Sequence, residues 1–124
     1  MELTPVIPSG RQVIESYGPR GFRVSGIAYA HAILVFPDLT LDWAVAGIAA
    51  VTAETLRPVI ERGGTEILLL GCGARMTPVP AATRQALKAA GISLEPMDTG
   101  AACRTYNVLL GEDRRVAAAL LPPI

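Results

Sequence analysis

The sequence predicts an α/β domain of three layers, in which an N-terminal β meander joins a central mixed sheet with flanking helices. Three observations predict this class. Short segments that alternate apolar and polar residues fill the first third of the chain, and helix-like and strand-like segments alternate after residue 51. An unbroken apolar strand at residues 67–70 then leads into a glycine turn and a helix, which is half of a βαβ unit. The 124 residues suffice for one domain, and we expect a single domain over residues 1–124.

Four strands are predicted in the first third, after an extended lead-in at residues 1–10 that has two prolines and little periodicity. The strands are predicted at residues 12–17, 22–29, 32–36 and 40–45. Gly26 lies inside the second of them and predicts a bulge or a bend there. Leu41, Trp43 and Val45 alternate in the fourth, so we expect them on one face, with Trp43 buried.

The first helix, at residues 53–62, allows two interpretations because Pro58 lacks a backbone N–H group. Either Thr52 caps the helix and Pro58 kinks it, or Thr55 is the cap and Pro58 lies in the first turn, where the missing donor costs little. The remaining elements are predicted as strand 66–70, helix 80–90, strand 93–97 at a sheet edge because of its proline, helix 100–110 and strand 115–121.

Charge and composition exclude several classes of protein. Eleven basic and eleven acidic residues balance, which argues against a nucleic-acid or anionic-membrane surface. No apolar run approaches the ~20 residues that span a bilayer, and the first residues do not resemble a signal peptide. Two cysteines make no disulfide framework, so we expect a cytoplasmic protein.

The turn after the central strand is the first candidate site. Gly71, Cys72 and Gly73 match neither a dinucleotide fingerprint nor a Walker loop, because the third glycine and the Gly-Lys-Ser/Thr sequence are missing. In one interpretation the glycines only let the chain leave a crowded strand. In the other, their N–H groups and Arg75 form a nest for a small anion, such as phosphate bound at about millimolar affinity.

A second polar cluster follows strand 93–97. Asp98 and Thr99 can cap the next helix with Arg104 in solvent, or all three can point into a cleft beside Gly71. The two loops meet only if strands 66–70 and 93–97 are parallel neighbours. Asn107 is an unusual polar residue in mid-helix, and we expect it to bond to a neighbouring loop.

Neither a metal centre nor an acid–base mechanism is indicated. Cys72 as a nucleophile would need a base, and the only histidine, His31, lies far away in the sequence. Cys103 is predicted to be a core residue of the last helix. One histidine and two distant cysteines supply no spaced pair of metal ligands, so no cofactor or metal is expected.

Several segments together resemble a known family. They are the strand and glycine turn at 67–73, the Val-Pro-led helix that starts at 79, Asp-Thr at 98–99, Thr-Tyr-Asn-Val-Leu at 105–109 and the closing segment 115–120. The chain is similar in these segments to the family of the mitochondrial NADH dehydrogenase (complex I) assembly factor 3 and the adipogenesis-associated domain protein, and it looks like a prokaryotic member. The matching residues are Gly71, Gly73, Asp98, Thr99, Tyr106 and Asn107.

The resemblance implies a three-layer domain with a central mixed sheet, without established catalytic activity. It implies a non-enzymatic protein-interaction module whose partner is another protein, with assembly of respiratory complex I as the role it suggests and a homodimer as a compatible state. The alternative is a small-anion or nucleotide-like ligand binder that uses the cleft at residues 71–75 and 98–104. A thiol enzyme that uses Cys72 is the third hypothesis.

Overall fold

The computed structural model describes residues 10–123, so the predicted lead-in lies outside the described residues except for Gly10. Eight strands and three α-helices follow one another, with a short 3₁₀ turn at Ile48–Ala50. The elements are β1 (Ile14–Gly18), β2 (Gly21–Val24), β3 (Ile27–Tyr29), β4 (Ile33–Val35), β5 (Thr40–Asp42), α1 (Arg57–Arg62), β6 (Ile67–Gly71), α2 (Ala81–Ala89), β7 (Ser93–Met97), α3 (Thr99–Gly111) and β8 (Val116–Leu120).

The strands form two sheets. A small antiparallel sheet has the order β1-β2-β3, and a five-stranded mixed sheet has the order β5-β4-β8-β6-β7. In the larger sheet β6 is parallel to both β7 and β8, and β4 is antiparallel to both β5 and β8. The predicted α/β class with a mixed sheet is therefore confirmed, and the proline-containing strand β7 lies at an edge as predicted.

The central sheet is buried on both faces, which explains why β6 and β8 are apolar without alternation. One face packs on side chains from α1 and α2, including Leu56, Val59 and Leu87. The other face packs on α3 and on the inner side of the small sheet, including Tyr106 and Phe22. These are the three layers that the sequence predicted.

The predicted strand at residues 22–29 is wrong, because the chain reverses in its middle. Ser25 and Gly26 have φ values of 45° and 86°, and the flanking residues Val24 and Ile27 pair with each other. Two successive left-handed residues are the geometry of the tight turn that best matches the twist of a hairpin. Gly26 is thus a turn residue rather than a bulge, and the β meander ends after three strands, with β4 and β5 in the other sheet.

Pro58 lies in the first turn of α1, as in the second interpretation, but Thr55 is not the cap. Leu56 occupies that position without a side-chain hydrogen bond. The Thr55 hydroxyl instead accepts the Thr52 N–H at 2.9 Å and donates to the Ala50 carbonyl at 2.9 Å. It therefore stabilises the turn that leads into the helix.

Trp43 is buried, as predicted. Its side chain is 4% exposed, and its indole N–H donates to the carbonyl of Thr55 at 2.8 Å. Leu41, which was expected to share its burial, is 40% exposed and lies on β5, an edge strand of the five-stranded sheet among the described residues.

Candidate functional site

The carboxyl ends of the parallel strands bring the two predicted loops together. Gly71 at the end of β6 pairs with Met97 at the end of β7 and with Leu120 at the end of β8. Because parallel neighbours end at the same sheet edge, the glycine turn meets the start of α3 there. We call the set Gly71, Gly73, Asp98, Thr99 and Leu121 the strand-end junction.

Thr99 connects the three segments of the chain that meet at the strand-end junction. Its hydroxyl accepts the Gly73 N–H at 2.9 Å and donates to the Leu121 carbonyl at 2.6 Å. Its own N–H donates to the Gly73 carbonyl at 2.9 Å. The side chain is 0% exposed, so these bonds close the junction from within.

Three further backbone N–H groups at the junction are also engaged. Asp98 is the N-cap of α3, and its carboxylate accepts the Ala101 N–H at 2.9 Å. The N–H of Cys72 donates to Met97 at 2.8 Å, and that of Leu121 donates to Gly71 at 3.0 Å. An anion nest needs N–H groups that point outward without a partner. Anion binding here stays a prediction, and these hydrogen bonds leave few donors for it.

Close packing explains the first glycine of the turn. A β-carbon on Gly71 would lie 2.9 Å from the Thr99 hydroxyl oxygen and 3.0 Å from a methyl group of Leu120. Gly73 has a φ of 101°, a conformation that side chains disfavour. Both positions therefore have a geometric reason to be glycine.

Neither thiol has the surroundings of an activated nucleophile. The Cys72 sulfur is buried and lies 3.7 Å and 3.5 Å from the carbonyl oxygens of Leu70 and Thr77. The His31 ring contacts the Ala32 carbonyl and, at 3.3 Å, the Asp42 carboxylate instead of Cys72. Burial raises the pKa of Cys103 to about 12, which keeps that thiol protonated.

The two arginines predicted for the cleft have different surroundings. Arg75 is exposed in the coil after the glycine turn. Arg104 donates from its guanidinium to the Tyr17 hydroxyl of β1 at 2.7 Å, so it links α3 to the small sheet. The structure therefore brings together four of the predicted site residues, namely Gly71, Gly73, Asp98 and Thr99.

Asn107 fastens the small sheet to α3. Its amide N–H donates to the Ile14 carbonyl at 2.8 Å, and its carbonyl oxygen accepts the Ile14 N–H at 3.1 Å. The adjacent Tyr106 donates its hydroxyl hydrogen to the Gln12 carbonyl at 3.1 Å, and burial raises the pKa of Tyr106. The partner of Asn107 is therefore strand β1, where a neighbouring loop was expected.

A groove on the small sheet was missed by sequence reasoning. It has a volume of about 590 Å³ and follows the β1–β2 turn and the adjoining parts of β2 and β3. Arg20 and Arg23 are the charged residues among those that line it. A single predicted strand at residues 22–29 has no β2–β3 turn, so the prediction did not bring residues 28–30 beside the β1–β2 turn.

Two classes of site are not found among residues 10–123. No group of three or more histidine, cysteine, aspartate or glutamate side chains is placed to hold a metal ion. Within the same residues, no helix has the length and apolar character needed to cross a membrane.

Comparison with known proteins establishes the family. The family model described as a protein of unknown function (DUF498/DUF598) matches residues 14–121. The chain belongs to this family. It is 39% identical over 116 residues to a Danio rerio protein named NADH dehydrogenase [ubiquinone] 1 alpha subcomplex assembly factor 3, and the match covers 93% of this chain and 67% of that protein. An uncharacterized protein of Rhodobacter capsulatus is 37% identical, with 92% of this chain and 87% of that protein covered.

Solved structures show the same fold in bacterial proteins of similar length. A crystal structure from Bordetella parapertussis superposes with a TM-score of 0.86 at 36% identity, and covers 93% of this chain and 99% of that one. A Bartonella henselae protein described as an outer membrane protein superposes with a TM-score of 0.85 at 38% identity, with 91% and 96% covered. The predicted resemblance to the assembly-factor family, with bacterial members, is therefore confirmed.

Proposed function

We propose that this chain is a non-enzymatic protein-interaction module that works in the cytoplasm and assists assembly of a respiratory NADH dehydrogenase. The observation that carries the proposal is the similarity to the zebrafish assembly factor, which extends over 93% of this chain. Because the chain spans about two thirds of that protein, the proposal concerns the role of the shared region.

The family's motif residues use their polar groups within the fold, which argues against a catalytic role for them. The carboxylate of Asp98 caps α3, and the hydroxyl of Thr99 closes the strand-end junction. The side-chain amide of Asn107 is hydrogen-bonded to β1. Enzymes usually place groups with perturbed pKa values in a cleft, where substrate reaches them. Here the two side chains whose pKa values shift, Cys103 and Tyr106, are buried in the core.

Deletion of the gene in its native host tests the proposal. We expect membranes of the deletion strain to lose NADH:quinone oxidoreductase activity and the assembled enzyme on native gels, with both restored by the wild-type gene. A tagged copy should co-purify respiratory subunits and should fractionate with the cytosol. A deletion strain with a normal amount of assembled, active enzyme would refute the assembly role.

A thiol variant separates the binding role from catalysis. Cys72→Ser should fold and should complement the deletion as well as the wild type, because the hydroxyl can donate to the same backbone carbonyl groups of Leu70 and Thr77 that the thiol contacts. Cys103→Ala is the matched control for the second thiol. If Cys72→Ser folds with normal stability but fails to complement, the chain uses the thiol in a reaction and the proposed function is wrong.

A further inference from the structure

Within residues 10–123, strand β3 is an open edge of the small sheet. The register pairs Val24 with Ile27 and Arg23 with Ala28. In a two-residue hairpin the residues that flank the turn exchange both hydrogen bonds, so the next residue directs its backbone groups away from the partner strand. The N–H and C=O of Ala28 therefore point outward, where a further strand would pair.

Two of the other sheet edges, β7 and β1, are less available within residues 10–123. On β7, Pro96 has no N–H, and the Arg84 guanidinium covers the Leu94 carbonyl at 3.1 Å. On β1, the Asn107 side chain takes both backbone groups of Ile14. Prolines and covering side chains are the usual protection of an edge strand. β3 carries neither.

The two sides of β3 differ in chemistry. Ile27 shares the side of its pair partner Val24, which packs on the core, and yet Ile27 is 59% exposed. Arg23 and Ala28 share the opposite, solvent-facing side. Because side chains alternate along a strand, an added strand would place every second residue beside Ile27 and the others near Arg23.

The groove on the small sheet reaches β3 at residues 28–30 and is lined by two arginines, Arg20 and Arg23. Among the described residues, no carboxylate lines it. One guanidinium N–H of Arg23 donates to the Gly26 carbonyl at 2.8 Å. Arg20 makes no hydrogen bond or ion pair within residues 10–123. Glu15 is the one acidic residue of the small sheet, and its carboxylate accepts the Gly26 N–H at 2.6 Å. Unused guanidinium donors favour carboxylate partners.

We propose that β3 binds an extended segment of another protein, in which acidic and apolar residues alternate, as a fourth strand of the small sheet. The apolar residues would cover Ile27, and the carboxylates would pair with Arg20 and Arg23. Backbone pairing supplies the geometry of such strand addition, and the alternate side chains supply its specificity. The inference rests on the proposed function, since it names the surface and the class of partner segment.

The test uses the whole chain and a pentapeptide that alternates glutamate and valine, with binding followed by amide chemical shifts. We expect saturable shifts at residues 20–30. Arg20→Gln and Arg23→Gln should each weaken binding about two- to fivefold, as for partly exposed ion pairs. Arg114→Gln, an exposed arginine outside this groove, is the matched control and should bind like the wild type.

Ala28→Pro tests the strand pairing itself. It removes an outward N–H on an edge strand, a position where proline is tolerated, so the fold should survive while the affinity falls about tenfold or more. If Ala28→Pro does not fold, peptides N-methylated at alternate residues make the same test on the wild type, and one of the two patterns should lose binding.

Unchanged affinity in folded Ala28→Pro, or with both N-methylation patterns, would overturn the inference. So would a concentration-dependent dimer in sedimentation that Ala28→Pro abolishes, because a second copy would then occupy the edge. Failure of peptide binding leaves the assembly role standing if the deletion strain still lacks the assembled enzyme. A normal deletion strain refutes the assembly role and leaves the peptide result to be judged by itself.

Discussion

The strand-end junction and the outer edge of β3 use their polar groups in opposite ways. At the junction, the hydroxyl of Thr99 and the N–H groups of Cys72, Gly73 and Thr99 all have partners inside the protein. At β3, the backbone of Ala28 faces outward beside two arginines. The first region has the sequence motif, and the second has unused binding capacity.

The comparison separates what holds this fold together from what its surface can bind. A buried polar group without a partner costs free energy, so a saturated junction stabilises the fold and offers little to a ligand. An edge strand with unpaired groups adds little stability but can pair with another chain. We therefore expect substitutions at the two regions to change different measurements.

The largest expected effect is that of Thr99→Val. Valine keeps the shape but leaves the Gly73 N–H and the Leu121 carbonyl without their hydroxyl partner in a buried site. We expect the free energy of unfolding, measured in urea, to fall by about 2–4 kcal/mol. Thr105→Val, a half-buried threonine on the same helix, is the control and should change it by less than about 1 kcal/mol. Equal losses for the two variants would refute the special role of Thr99.

Asn107→Leu should have a somewhat smaller effect. The change leaves both backbone groups of Ile14 without the amide, but Asn107, at 7% exposure, is slightly less enclosed than Thr99, at 0%. We expect a loss of about 1–3 kcal/mol in the free energy of unfolding, with faster amide exchange in β1 than in β6. A stable variant with unchanged exchange in β1 would show that Asn107 does not fasten the sheet.

Stability at alkaline pH tests how well the buried face of α3, which carries Cys103, is shielded from solvent. Folding raises the pKa of Cys103 from its ordinary 9.0 to about 12, because burial disfavours the thiolate. Above pH 9 the unfolded chain loses this proton first, so stability is full below that pH and falls as the pH rises toward 12. Each group contributes at most about 1.4 kcal/mol per pH unit. Burial also raises the pKa of Tyr106, so its ionisation in the unfolded chain adds to the loss of stability at higher pH.

Urea unfolding at pH 8 and at pH 10.5 measures this loss, and Cys103→Ala is the control that should remove the thiol's share. If the wild type and Cys103→Ala lose stability equally over this range, Cys103 titrates as freely in the folded protein as in the unfolded chain. The face of α3 that packs on the core would then be open to solvent.

The smallest effect on stability is expected at the groove. The double variant Arg20→Gln/Arg23→Gln removes charges from an exposed surface, and we expect its free energy of unfolding to change by less than about 0.5 kcal/mol. The same variant should lose most of its affinity for the acidic peptide. A large loss of stability would mean that the arginines serve the fold, and the contrast between the two regions would fail.

The sequence predicted the fold class and the helices and strands of the second half well, because their patterns are local. The apolar run of β6, the cap at Asp98 and the proline of β7 each follow from one stretch of residues. The hairpin at Ser25 and Gly26 was missed, because a small residue such as Gly26 is also compatible with a bent strand. The apolar positions do change from even to odd numbers across the turn, from Phe22 and Val24 to Ile27 and Tyr29.

The candidate site was predicted less well. The sequence placed Gly71, Gly73, Asp98 and Thr99 near one another, since parallel strands end at one edge. It could not show that the Thr99 hydroxyl would reach Gly73 and Leu121, because those contacts join segments more than twenty residues apart. Whether every polar group of a cluster has a hydrogen-bond partner depends on how distant segments pack. A short sequence motif cannot show this.

Amide hydrogen exchange on the unmodified protein tests the central claim most directly, since one spectrum reports both regions. We predict slow exchange for the N–H groups of Cys72, Gly73 and Thr99, with protection close to that of β6. The Ala28 N–H should exchange rapidly although its neighbours in the hairpin are protected. Rapid exchange at Gly73 and Thr99 together with a protected Ala28 would contradict the account, because the open donors would then lie at the strand-end junction.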